Sequence, residues 1–270
     1  MIVQQSVSAR ERATEIIKKD LMDAFLVEQF FNGDTYSKQS LQDAAKEISA
    51  LFAHYHSHEV EVYIGNFCFL VEKSYKQGEQ WVRHSPIYRQ VAGQWQLIVS
   101  IEELATSILQ TSLSAKAYQH PAVADFLKGL LVAVEQLTLS IEQMNNYDAS
   151  APQTPYQWHV KGELIASFRD RPFHPLAKAK IGFSAQDYQQ YMAEFGQPIS
   201  LRWVAIRHDV VVKGNEQTPI QCFDLLEEKQ KYEIAQEFER RGLRQSEYTM
   251  MPVHPWQLQN IILKDFEQEL

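Results

Sequence analysis

The sequence has few cysteines, and what it lacks narrows its class quickly. Cys68 and Cys222 stand far apart without a CxxC spacing, which excludes a disulfide framework and a cysteine-rich zinc site. Both are expected to be reduced, buried small hydrophobes, and the compartment to be the cytoplasm. No run approaches the ~20 apolar residues of a membrane span. Met1 to Arg12 lacks the apolar stretch of a signal peptide. Positive charge is also in deficit: 26 Lys and Arg face 34 Asp and Glu, a net charge of −8, which argues against nucleic acid as a partner. The phosphate loop GxxxxGK[ST], GxGxxG, HExxH and GxSxG are all missing, so a nucleotide must be held by other means. There is no internal repeat and no low-complexity tract.

What is present suits a folded protein. Of 270 residues, 45% are hydrophobic and 22% charged, enough for one large domain or two small ones. Ser8 and Glu11 form a capping box before Ala13, Ile16, Ile17, Leu21, Ala24 and Phe25, which recur at helical spacing and stop near Asn32-Gly33. A second helix is expected from Ser40 to about Tyr55. Val60, Val62 and Ile64 alternate with polar positions, and Gly65-Asn66 leads into Phe67 to Val71, a hairpin signal. Ile87 to Val91 and Trp95 to Val99 flank Ala92-Gly93 as a second hairpin. Ser100 to Glu103 reads as another capping box, opening a helix to about Ser114. Pro121 to Met144 is a longer helix, with His120 marking its start.

Asn145 to Pro155, rich in Asn, Ala, Ser and Pro, is the expected boundary between a helical front domain with a β-meander (1–150) and a second domain (151–270). The second domain should hold a helix over Tyr156 to Phe168, a loop over Arg169 to Gly182 and a helix over Ser184 to Phe195. A strand over Ile199 to Val212, a helix over Phe223 to Arg241 and a strand over Tyr248 to Val253 follow. Helices and antiparallel strands in separate groups predict an α+β fold.

The loop concentrates what positive charge there is. Arg169, Arg171, His174, Lys178 and Lys180 fall within twelve residues. Pro172 and Pro175 stiffen the segment and push Arg171 and His174 toward extended backbone. A stiff cationic loop loses little entropy on binding an anion such as phosphate. Gly182 permits a close backbone approach or an unusual turn, and Ser167, one turn upstream, carries a hydroxyl able to donate to a phosphate. The same pattern equally fits a solvated basic loop between two helices. A second His-Pro pair lies in Met251-Pro252-Val253-His254-Pro255-Trp256-Gln257, where the imidazole sits at a strand tip. There it serves an anion or caps neighbouring backbone.

Taken together, these segments resemble the aerobactin-synthetase (IucA/IucC) family of NRPS-independent siderophore synthetases. That family carries His-Pro-x-His-Pro-x-x-Lys-x-Arg-x-Gly, then Tyr-x-Pro-Glu-Phe, Leu-x-Trp and Pro-Val-His-Pro-Trp-Gln. Here the order is Arg171-Pro172-Phe173-His174-Pro175 with Lys178, Lys180 and Gly182, then Tyr191-Met192-Ala193-Glu194-Phe195, Leu201-Arg202-Trp203 and Pro252 to Gln257. The resemblance covers about residues 155 to 260. Arg171, Lys180 and Ala193 depart from the pattern, keeping charge at the first two positions but losing bidentate geometry at 180.

The resemblance implies ATP-dependent condensation of citrate, or a related carboxylate, with an amine, hydroxylamine or alcohol through an acyl-adenylate, with Mg²⁺ accompanying ATP. It places His174, Lys178 and Lys180 on the triphosphate with Arg171 in support. Gly182, Glu194, His254, Trp256 and Gln257 become motif or supporting positions. Family members continue past the His-Pro-Trp-Gln element, so this chain is expected to be an inactive part of the enzyme.

Other readings stay open. One is a non-catalytic module that binds an anion or forms a homodimer through its front helices. Another is a metal-binding protein using His54, His56 and His58, which would share one face of a strand but lack an obvious fourth ligand. Trp158 with His159 is expected to pack, and Glu194 either to orient a loop lysine or to lie on the surface.

Overall fold

Ser8 starts the first helix as expected. The computed structural model describes residues 7–30, 36–55, 60–73, 80–82, 85–147, 150, 152–168, 171, 174–212 and 222–266. Helix α1 (Ala9–Val27) opens with the Ser8–Glu11 box: Ser8 Oγ accepts from the Glu11 amide at 3.2 Å, and the Glu11 carboxylate accepts from the Ser8 amide at 2.8 Å. Asn32-Gly33, the expected stop, lies outside the described residues.

The next segment differs from expectation. Strand β1 (Ser37–Ser40) pairs with β2 (Val60–Ile64), so the predicted second helix shrinks to α2 (Lys46–Leu51). Pairing to β2 claims the backbone as far as Ser40, and the Ser40 hydroxyl then caps a turn by accepting from the Asp43 amide at 3.2 Å. Strand β3 (Phe67–Lys73) pairs with β2 on one side and with β4 (Gln80–Val82) and β5 (Tyr88–Val91) on the other. Strand β6 (Gln94–Leu97) completes an antiparallel sheet in the order β1-β2-β3-β5-β6. Val91 lies opposite Gln94, so Ala92-Gly93 is a two-residue turn with φ positive at both positions, 49° and 81°, matching the twist of the strands it joins.

The sheet's two-residue period divides the core. Tyr63, Phe67, Phe69 and Val71 face helices α1, α3 (Ile101–Ser112) and α5 (Pro121–Asn145). Val60, Val62, Cys68 and Leu70 face Ile48 and Phe52 on the opposite side. Full burial of each such aromatic or aliphatic side chain contributes about 1.5–3 kcal/mol. Ser100 caps α3 by accepting from the Glu103 amide, while the Glu103 carboxylate pairs with Arg89 at 2.8 Å. The short helix α4 (Ala115–Tyr118) leads to α5. There His120 is the N-cap, its Nδ1 accepting from the Ala122 amide at 3.2 Å with Pro121 in the first turn.

Helix α6 (Pro155–Phe168) follows, then α7 (Ala185–Tyr191) behind a Ser184–Asp187 capping box. The predicted helix to Phe195 breaks at Met192, whose extended backbone (ψ 139°) separates α7 from a 3₁₀ turn at Ala193–Phe195. Two compact units result, Met1–Gly196 and Gln197–Leu270, and the boundary expected at residue 150 lies inside the first.

In the second unit, β7 (Arg202–Arg207), shorter than the predicted strand over Ile199 to Val212, pairs antiparallel with β8 (Tyr248–Val253). The predicted charged helix divides into a 3₁₀ turn at Cys222–Leu225 and α8 (Glu228–Arg240). Phe238 of α8 is buried against Tyr248, their ring centroids 5.4 Å apart. Helix α9 (Pro255–Gln257) and further helical turns to Asp265 follow. The α+β reading holds. Cys222 is exposed rather than buried, and Cys68 is buried as expected. His56 and His58 lie outside the described residues.

Candidate anion-binding site

Helix α5 presents two buried stripes. Leu130, Val134, Leu137 and Ile141 join the hydrophobic core. On the adjoining stripe, Gly129, Gln136 and Ser140 are also buried, and they carry small or polar side chains. This second stripe holds the basic loop.

The loop is a series of tight turns on that stripe. The Ala177 amide donates to His174 O at 2.9 Å, and the Ala179 amide to Leu176 O at 2.9 Å. Leu176 lies where a side chain on Gly129 would stand: a Cβ there would meet Leu176 Cδ2 at 3.2 Å. The Lys180 amide donates to Gln136 Oε1 at 2.7 Å, while Gln136 Nε2 donates to Lys180 O at 3.1 Å. The Phe183 amide also donates to Lys180 O at 3.1 Å, closing a turn in which Gly182 has φ 93°. That left-handed backbone is the reason a glycine sits at 182.

Lys178 turns inward. It is 3% exposed, and Glu194 is 0% exposed. Lys178 Nζ donates to Glu194 Oε1 at 2.7 Å and to the carbonyl of Ser167. Glu194 Oε1 also accepts from Ser140 Oγ at 2.6 Å and from the Tyr188 hydroxyl at 3.2 Å. Ser140 has one proton to give, and the 2.6 Å contact to a carboxylate outweighs the 3.2 Å contact to Gln136 O. The alternative of a surface position for Glu194 is therefore corrected: the carboxylate is interior and orients a loop lysine. A buried pair of this kind neutralises itself, and removing one partner strands the other.

The expected phosphate contacts thus divide. Arg171 and His174 are exposed, and Lys180 is half-buried, its Nζ 3.4 Å from Ala177 O. Lys178 instead spends its charge inside the fold. Ser167 is likewise committed, its hydroxyl donating to Leu164 O at 2.7 Å. Arg169, Asp170, Pro172 and Phe173 lie outside the described residues. His254, Trp256 and Gln257 belong to the second unit. There His254 repeats the role of His120: its Nδ1 accepts from the Trp256 amide at 3.2 Å and caps α9, with Pro255 in the first turn. Trp158, expected to pack, is 61% exposed.

Sequence reasoning did not single out Gln136, Ser140 or Tyr188. For Gln136 and Ser140 the signal was a stripe of small and polar residues beside an apolar one in α5, visible only once a partner is known; Tyr188 is the buried residue of α7.

The family match covers the basic loop and the residues after it. Residues 165–270 match the IucA / IucC family. Staphyloferrin B synthase of Staphylococcus aureus (strain NCTC 8325 / PS 47) is 34% identical over 148 residues, 55% of this chain and 24% of the synthase. Citryl-spermidine/3,4-dihydroxybenzoyl-citryl-spermidine:spermidine ligase of Bacillus anthracis is 34% identical over 102 residues, 37% of this chain and 17% of the ligase. This chain therefore spans about a quarter or less of those relatives.

Among solved structures, petrobactin biosynthesis protein AsbB from Bacillus anthracis str. Sterne matches 97% of this chain and 40% of its own, with TM-score 0.69 and 17% identity. ATP-bound aerobactin synthetase IucA from a hypervirulent pathotype of Klebsiella pneumoniae covers 98% of this chain and 42% of its own, with TM-score 0.53 and 15% identity. At those identities the likeness is one of fold. It reaches across both units, including the front region that carries no family motif.

Proposed function

We propose that this chain is part of an ATP-dependent carboxylate–amine ligase of siderophore biosynthesis, and that its basic loop holds the triphosphate. The observation that carries the reading is a cationic loop whose described residues 174–182 are held by the fold, within the segment that matches the IucA / IucC family. A fold relative solved with ATP bound supports the nucleotide. The citryl-spermidine ligase among the relatives supports a citrate-type carboxylate and an amine.

In this reading a carboxylate oxygen of the substrate attacks the α-phosphorus, and the bond to pyrophosphate breaks. The amine, hydroxylamine or alcohol then attacks the acyl carbon, AMP departs, and the nucleophile gives up its proton. The enzyme must hold two anions together and stabilise the charge leaving on pyrophosphate, which a preorganised cationic loop does without reorganising. Arg171, His174 and Lys180 are the proposed contacts. Lys178 acts from inside, holding the loop through Glu194. Mg²⁺ is proposed to accompany the phosphates of ATP. His254, Trp256 and Gln257 are proposed as motif positions that shape the second unit, and the cytoplasm as the compartment.

A second reading, anion binding without turnover, is favoured by one feature. The groups that hold the loop's described residues, Gln136, Ser140, Ser167, Tyr188 and Glu194, lie within Met1–Gly196. Pyrophosphate release with ATP, citrate and an amine separates the two readings.

The test of the site is a calorimetric titration of Mg·ATP into the chain. Saturable binding is expected, weakened about tenfold or more in Lys180→Ala and in His174→Ala, a tenfold loss corresponding to roughly 1.4 kcal/mol. A chain that takes up no Mg·ATP contradicts the assignment.

A further inference from the structure

We propose that Gln136, in the middle of helix α5, is a positioning residue for the phosphate loop; this rests on the ligase reading above. Gln136 is 4% exposed and faces the loop rather than the apolar core. Its amide meets both backbone groups of Lys180, accepting from N–H at 2.7 Å and donating to C=O at 3.1 Å. The side chain thereby acts as one rung of a β-ladder for a segment that has no strand partner of its own. A buried amide without partners costs free energy, so glutamine fits this stripe only because the loop satisfies both its ends.

The consequence reaches Lys180. With its amide and carbonyl both hydrogen-bonded, and with Gly182 turning the chain two residues on, the Lys180 backbone is held at both of its polar groups. The side chain leaves from a fixed point and is half-buried. One helical turn along, Ser140 makes the second attachment through Glu194 to Lys178. The front helix therefore belongs to the site's support: it sets where a cation stands without touching the anion.

The experiment compares the wild-type chain with Gln136→Ala and Gln136→Met in Mg·ATP titrations. Methionine keeps the volume and packing of glutamine but none of its hydrogen bonds. Both variants are expected to weaken binding about tenfold or more, with the Lys180 amide exchanging faster than in the wild type. If the methionine variant binds like the wild type, Gln136 only fills space and the inference falls while the ligase reading stands. If the wild-type chain itself binds no Mg·ATP, the ligase reading falls first and takes the inference with it. Amide exchange of the wild type gives an independent check that needs no variant: an unprotected Lys180 amide overturns the latch.

Discussion

Lys178 Nζ lies 2.7 Å from Glu194 Oε1, and both side chains are enclosed by the protein. Two residues from separate segments, the basic loop and the 3₁₀ turn at Ala193–Phe195, are thus one structural unit, joined to helix α5 through Ser140. Glu194→Ala leaves the Lys178 ammonium buried beside the Ser167 carbonyl without a counter-charge, which costs roughly 3–5 kcal/mol. Replacing both partners, Lys178→Met with Glu194→Leu, should recover most of that loss. Urea unfolding of the two variants checks this, and a loss below about 1 kcal/mol in Glu194→Ala contradicts a structural ion pair.

The turn between β5 and β6 holds an alanine where a glycine or asparagine is preferred. Ala92 has φ 49°, a left-handed conformation that costs an L-residue with a Cβ roughly 1–2 kcal/mol. Ala92→Asn or Ala92→Gly should therefore raise stability by about 0.5–1 kcal/mol. Chemical denaturation measures it, and a loss of stability in both variants would contradict the turn geometry.

The two cysteines should behave oppositely. Cys68 is 0% exposed, and burial pushes its thiol from an ordinary 9.0 up to about 12. Cys222 is exposed. A thiol reagent at pH 8 should label Cys222 rapidly and Cys68 only on unfolding. The sign of the pH effect follows: between pH 9 and 12 the unfolded chain binds fewer protons at Cys68 than the folded chain does, so stability falls as pH rises through that window. Rapid labelling of two thiols in the folded chain contradicts the core assignment.

How much of this was legible in the sequence depends on which forces act locally. The Ser8–Glu11 box, the Ala92-Gly93 turn, the start of α5 and strand β8 come from short-range chemistry, and the structure places them where the residues say. Ser37–Gln39 carried no reading of their own and Ser40 read as a helix start, until β2 was available to pair with them and α2 shortened accordingly. In the site, the glycine at 182 and the cationic run were readable. That Glu194 orients a loop lysine was one of two readings, but that the lysine is Lys178 and that it turns inward was not readable, because this depends on a carboxylate sixteen residues on and on Ser140 in a distant helix. The buried glutamine that fixes Lys180 was equally silent, since hydrophobic periodicity registers only the stripe beside it.

The most direct test of the central claim is a map of backbone amide shifts in the ¹⁵N-labelled chain as Mg·ATP is added. The account predicts saturating shifts concentrated in residues 171–182 and in the Gln136 side-chain amide, lost in Lys180→Ala. Saturating shifts elsewhere with that loop unmoved, or no shifts at all, would contradict it.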